Sequence, residues 1–136
     1  MTEDEIQSMI KSHEGFRPYV YYDSMGFPTG GYGHAFLHRS PISHDVADLL
    51  FKEDYERSVG GYKKLELDLD PVRRGVVIDM IFNLGLSGVR GFPLMLKALR
   101  KKDHETAADE MVDSLWYGQT GYRAKKLVMM MRTGAC

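Results

Sequence analysis

Glu14 and Asp23, with Thr29 six residues further on, lie on the stretch HEGFRPYVYYDSMGFPTGGYGH. Two carboxylates and a hydroxyl on one short segment are the groups that glycosidic bond cleavage uses. Hydrolysis of a sugar acetal takes one carboxylic acid to protonate the leaving oxygen, and one carboxylate to direct water or steady an oxocarbenium-like transition state. Glu14 and Asp23 fit those roles. They can meet only if Glu14 ends a helix and Asp23 sits on a strand folded back beside it, because residues nine apart on one helix point to different faces.

The flanking residues predict that break. Ile6, Met9 and Ile10 recur at helical spacing within Glu3 to His13, and Thr2 with the acidic run Glu3, Asp4, Glu5 suits a helix N-terminus. Gly15 and Pro18 stop the helix. Tyr19 to Tyr22 is aromatic and β-branched, Ser24-Met25-Gly26 forms a turn, and the glycines of TGGYGH leave room for close backbone approach. The expectation is a helix followed by a β-hairpin.

The order Glu14, Asp23, Thr29, followed by Gly31 to His34, resembles the phage-type lysozymes, the muramidase family of the T-even bacteriophage endolysin. Two further blocks extend the resemblance collinearly over nearly the whole chain. DPVRRGVVIDMIFNLGLSGVRGF, from Asp70 to Phe92, is similar to the family's central buried helix and the short helix after it. SLWYGQTGYRAKKLVMMMRTG, from Ser114 to Gly134, is similar to its C-terminal tryptophan-containing segment. The resemblance implies one mainly helical α+β domain over 1–136: a sheet-bearing N-terminal lobe (14–43), a helical C-terminal lobe (60–136 with 1–13), a joining helix (44–58), and a cleft between the lobes. The implied reaction is hydrolysis of the β-1,4 bond between N-acetylmuramic acid and N-acetylglucosamine in peptidoglycan. No cofactor or metal is implied.

In that reading Glu14 is the general acid. Desolvation favours the protonated form that an acid needs, and a neighbouring cation opposes it. The resemblance supplies such a cation in Arg123, matched to an arginine that pairs with the catalytic glutamate. It gives Asp23 and Thr29 the water that attacks the anomeric carbon from the opposite face, which inverts configuration. The residues alone leave plainer readings open: Glu14 as a helix end paired with a cation, Thr29 as a strand former. His34 could serve as a base near neutrality, but resembles a family histidine paired with an aspartate on the next helix, here Asp54. Asn83 could hydrogen-bond an acetamido or hydroxyl group, or cap a buried helix. Trp116 and Gln119 could stack on and pair with a sugar, and Trp116 could equally pack in the core.

Composition sets the frame. At 136 residues and 43% hydrophobic content the chain can bury one core. No apolar run approaches the roughly 20 residues of a membrane span, and the acidic start lacks the pattern of a signal peptide. The expectation is synthesis in a host cytoplasm, with holin-dependent access to the wall for lysis by a phage or prophage. The single Cys136 excludes an intramolecular disulfide. Residues 1–60 hold 5 Lys/Arg against 10 Asp/Glu, and residues 61–136 hold 13 against 9, so the halves carry −5 and +4. The positive half could attract anionic wall polymers or be an ordinary solvated surface. Its dispersed cations form no recognised nucleic-acid module. No heptad seam is visible, which points to a monomer. The rival functions are a non-catalytic wall-binding protein on the same fold and a glycosidase acting on chitin or chitosan.

Helical periodicity predicts the remaining elements. A helix over 44–58 should end at Gly60 and Gly61. Pro71 should open a central helix carrying Val72, Val76, Val77, Met80, Ile81 and Leu84, with further helices near 93–101, 104–115 and 121–131 and Met129 to Met131 as core filler. The segment between His34 and Asp45 is short against the T-even pattern, which puts the substrate footprint in question.

Overall fold

The computed structural model describes all 136 residues. They form two compact units, Met1–His44 and Asp45–Cys136.

The first unit opens with α1 (Glu3–Glu14). Thr2 Oγ1 accepts the Glu5 N–H at 3.2 Å and the Glu5 carboxylate accepts the Thr2 N–H at 2.8 Å, a reciprocal cap on two free donors. At the other end the Gly15 N–H closes on Lys11 O at 2.9 Å. Strands β1 (Arg17–Tyr22), β2 (Pro28–Gly31) and β3 (His34–Ala35) form an antiparallel sheet in that order. Tyr21 pairs with Thr29 and Arg17 with Gly31, so β1 carries extra residues between the two pairs. Pro18 lies in that irregularity, where its missing N–H is no loss to the ladder. Helix α1 falls in the same unit as the sheet. Only Gly15 and Phe16 separate α1 from β1. Phe16 meets the Tyr32 ring at 5.4 Å, and the Lys11 ammonium lies 5.2 Å from the centre of that ring.

The second unit is helical: α2 (His44–Lys64), α3 (Pro71–Arg90), α4 (Pro93–Arg100), α5 (His104–Val112), α6 (Leu115–Thr120) and α7 (Tyr122–Thr133). Helix α2 does not stop at Gly60 and Gly61 as the sequence suggests. It continues to Lys64, because its last turns bury Ser58, Gly61 and Tyr62, with Leu65 buried just beyond them. Each glycine costs a helix about 1 kcal/mol against alanine, and packing of this order outweighs it. A Cβ on Gly61 would sit 3.3 Å from Ile81 Cγ2, so the small residue also sets how closely α2 approaches α3.

Helix α3 is the centre of the unit. Val76, Val77 and Met80 have no exposure, and Ile78 and Ile81 are buried beside them. Gly85 breaks it with φ 77° and ψ 164°, a conformation that side chains rarely adopt, so the run is two helices joined at a kink. Around it α4 packs on α5, and α3, α5 and α6 pack on α7. The expected helix over 104–115 ends at Val112, because Ser114 starts a new one: its Oγ accepts the Tyr117 N–H at 3.2 Å. Of the C-terminal methionines only Met131 is fully buried. Met129 is exposed, since three consecutive helical positions cannot all face one core.

One polar network ties the ends of two helices together. Asp70 caps α3 by accepting the Arg73 N–H at 3.0 Å, and its other oxygen pairs with the Arg73 guanidinium at 3.0 Å. The same guanidinium donates to Met131 O at 2.7 Å and Arg132 O at 3.0 Å, carbonyls in the last turn of α7. The Arg73 backbone N–H holds the Asp70 carboxyl below its ordinary value; burial opposes it as the next effect in size, and the Arg73 guanidinium adds to the lowering. A depressed carboxylate stabilises the fold fully above the unfolded-state value and loses that contribution as pH falls through the folded value. Asp70→Ala should therefore cost about 1 kcal/mol at neutral pH, the usual loss for an N-cap. In urea unfolding the gap between native and variant should narrow as pH is lowered from about 5 to below 3.8.

Candidate active site

The sequence places Glu14, Asp23, Thr29 and His34 in the first unit, and the structure shows how each is held. Glu14 is the last residue of α1 and is exposed. Its carboxyl lies against Gly33, just past β2: a Cβ built on Gly33 would come 2.3 Å from Glu14 Oε2. Gly33 also has φ +70°, so both backbone and space demand glycine there. The sequence reading assigned the TGGYGH glycines to close approach, without naming Glu14 as what approaches.

Asp23 and Thr29 are joined through the main chain of Phe27. Asp23 Oδ1 accepts the N–H groups of Met25 and Phe27, both at 2.9 Å. The Phe27 carbonyl in turn accepts the Asp23 N–H and the Thr29 hydroxyl, each at 2.9 Å. A turn whose first residue is Asp satisfies its own backbone in this way. Two chemical consequences follow. One carboxylate oxygen of Asp23 is fixed by two donors while Oδ2 carries no such bond. Thr29, only 5% exposed, spends its proton on Phe27 O and keeps oxygen lone pairs with which to accept. The β1–β2 hairpin thus sets a partly buried carboxylate and an acceptor hydroxyl on one rigid loop. His34, in β3, is exposed and meets the Phe36 ring edge-on at 4.8 Å.

The other sequence candidates belong to the second unit. Trp116 is 6% exposed, its ring edge-on to Phe92 at 6.1 Å, and its indole N–H donates to Asn83 Oδ1 at 2.9 Å. That bond brings together two residues which the sequence proposed separately. Gln119 is exposed near the end of α6. Asp54 forms an ion pair with Arg57 at 3.0 Å. Arg123 is held by Asp79, with Nε and one terminal nitrogen each 2.8 Å from Oδ1. Asp79 is a partner the sequence reading missed; it stands four residues before Asn83, one turn away on the same helix, which is the only signal that could have raised it. A pocket of about 340 Å³ in this unit is lined by Phe51, Tyr55, Phe82, Ile78 and the Arg123–Asp79 pair. No three His, Cys, Asp or Glu side chains converge as metal ligands would, and no single helix is long and apolar enough to cross a membrane.

Comparison with known proteins places the chain in a family. Residues 11–132 match the phage lysozyme family. A probable T4-type lysozyme of Dictyostelium discoideum is 27% identical over 95% of this chain and 94% of its own length. The endolysin of Salmonella phage P22 is 30% identical over 79% of this chain and 77% of its own. The pre-baseplate central spike protein of Enterobacteria phage T4 is 30% identical over 95% of this chain, which spans 28% of that longer protein. The alignments with the Dictyostelium and T4 proteins run over 160 and 159 positions against 136 residues here, so both relatives carry residues that this chain lacks. With a matched region that takes in Glu14, Asp23 and Thr29 and a sheet and helices of the expected kinds, the chain belongs to the phage lysozyme family of glycoside hydrolases.

Proposed function

We propose that this protein is a muramidase that cuts the β-1,4 bond between N-acetylmuramic acid and N-acetylglucosamine in peptidoglycan, with Glu14 as acid and Asp23 and Thr29 as the water-holding pair. The observation that carries this reading is the Phe27 clip. It leaves Asp23 Oδ2 and the Thr29 lone pairs as the unspent acceptors of the loop. A water hydrogen-bonded to both gives one proton to Asp23 as its oxygen attacks the anomeric carbon. Glu14 protonates the departing glycosidic oxygen, so the two half-reactions fall on separate carboxyls and configuration inverts. Gly33 fixes where the Glu14 carboxyl can rest.

Asn83, Trp116 and Gln119 form the proposed substrate-contacting set, and His34, Asp54 and Arg123 support the site. The biological setting proposed is lysis of a bacterial host: synthesis in the host cytoplasm, passage to the wall through a holin, and action there as a monomer. The name of the P22 relative, an endolysin, supports that setting.

Four variants test the chemistry by reducing-end release from purified peptidoglycan, with the new termini identified by mass spectrometry. Glu14→Gln should lower the rate by about 10²–10⁴-fold, the usual worth of a general acid, while the native protein yields muramic acid termini. Equal release from both would remove Glu14 from the role. Asp23→Asn retains a carbonyl oxygen for the Met25 and Phe27 N–H groups, so its melting temperature should stay near native while activity collapses. Asp23→Ala should lose both. Gly33→Ala should lower kcat and stability together, because the new methyl displaces the Glu14 carboxyl and the backbone is strained; native kcat in that variant would show that Gly33 does not place the acid.

A further inference from the structure

Glu14 has a cation three residues away on either side, Lys11 one turn earlier on α1 and Arg17 at the start of β1. Neither pairs with it, and the Glu14 carboxyl forms no ion pair. Each cation stands on a tyrosine instead. The Lys11 ammonium lies 5.2 Å from the centre of the Tyr32 ring. The Arg17 guanidinium lies 5.3 Å from the centre of the Tyr21 ring, with one terminal nitrogen 3.4 Å from the Tyr19 hydroxyl.

Lys11 is the cation whose placement bears most directly on the acid. Residues three apart on a helix are surface neighbours, so an unrestrained Lys11 side chain reaches the Glu14 carboxyl. What restrains it is the residue next to Gly33, the glycine against which that carboxyl lies. Tyr32 is steadied in turn by the Phe16 ring at 5.4 Å. An exposed ion pair is weak, and lysine before glutamate is the weaker order of such a pair, so an aromatic face competes with it successfully. The other titratable side chains beside these residues are His13, adjacent to Glu14, and His34, adjacent to Gly33, both exposed. Arg123, in the second unit, is held by Asp79 at 2.8 Å.

We propose that Tyr32 is a positioning residue: its ring holds the Lys11 ammonium off the Glu14 carboxyl, and so extends the pH range over which Glu14 keeps the proton it must donate. The proposal rests on the muramidase reading above, in which Glu14 is the acid. A cation in contact with a carboxyl favours its ionised form, which has no proton to give. The same cation moved onto a ring face is satisfied without that cost to the acid. Tyr32 touches neither substrate nor proton and acts only through Lys11.

The experiment is kcat/KM on soluble glycan fragments of peptidoglycan as a function of pH, alongside thermal unfolding, for native protein and four variants. Tyr32→Leu keeps an apolar side chain against Phe16 and removes the aromatic face, whereas Tyr32→Phe keeps the face. Lys11→Gln removes the charge, alone and combined with Tyr32→Leu. The alkaline limb of the profile reports the acid. In Tyr32→Leu it should move to lower pH by about half a unit, about a threefold loss of rate on that limb, with the maximal rate little changed. Tyr32→Phe should keep the native limb, and the double variant should recover it. A folded Tyr32→Leu with the native limb overturns the proposal, as does a shift that persists in the double variant, since the lysine would then have no part in it. Should Tyr32→Leu fail to fold, Lys11→Gln decides alone: a limb within a few tenths of a unit of native, the size of an exposed pair's effect, supports the proposal, and a rise of about one unit or more shows an ammonium already acting on Glu14 and overturns it. Native protein that is folded yet inactive at every pH overturns the muramidase reading itself, before any variant is compared.

Discussion

The main chain of Phe27 is the constraint on which the proposed chemistry depends. Its N–H and its carbonyl are both spent on residues of the proposed triad, so the Asp23 and Thr29 side chains are held against one short stretch of backbone. A loop built this way has little entropy left to lose when substrate arrives. It also explains why the phenylalanine side chain can remain exposed at that position: the work is done by the main chain, and the ring is free of it.

The helical unit is organised differently, around apolar burial. Val76, Val77, Ile78, Met80 and Ile81 bury one broad apolar face of α3 in a core shared with α4 to α7, leaving Asp79 on the open side. Burial is non-directional and cannot by itself set the register of one helix end against another. Arg73 supplies that register. It joins the start of α3 to the end of α7 through two directed hydrogen bonds that reach across nearly sixty residues of sequence, while Asp70 holds the same guanidinium locally, and the Gly134 turn leaves room for it.

What could be read from the sequence was what short-range chemistry determines. The capped start of α1, the hairpin after Glu14 and the proline opening of α3 each follow from a few neighbouring residues. The errors arose where distant packing overrides local signals. Gly60 and Gly61 are sound helix stops in isolation, and only the burial of Tyr62 and Leu65 carries α2 past them. The proposed triad was raised by residue type and order, but the contacts that hold its members were not. No pattern in the chain announces that Phe27 will clip Asp23 to Thr29, that Gly33 will receive the Glu14 carboxyl, or that Asp79 will hold Arg123, because each depends on where the backbone returns.

Four core methionines, Met80, Met95, Met111 and Met131, are closed off from solvent, whereas Met1, Met25 and Met129 are open to it. An oxidant meeting the folded protein therefore reaches the exposed thioethers before these four. When the helical unit opens, the inner sulfurs become accessible, and a sulfoxide oxygen cannot return to an apolar interior without an acceptor-seeking partner waiting for it. Each opening under oxidising conditions becomes a one-way event. The lifetime of the protein in such surroundings is then governed by how often the unit opens, and a single well-packed core acts as a clock as much as a scaffold.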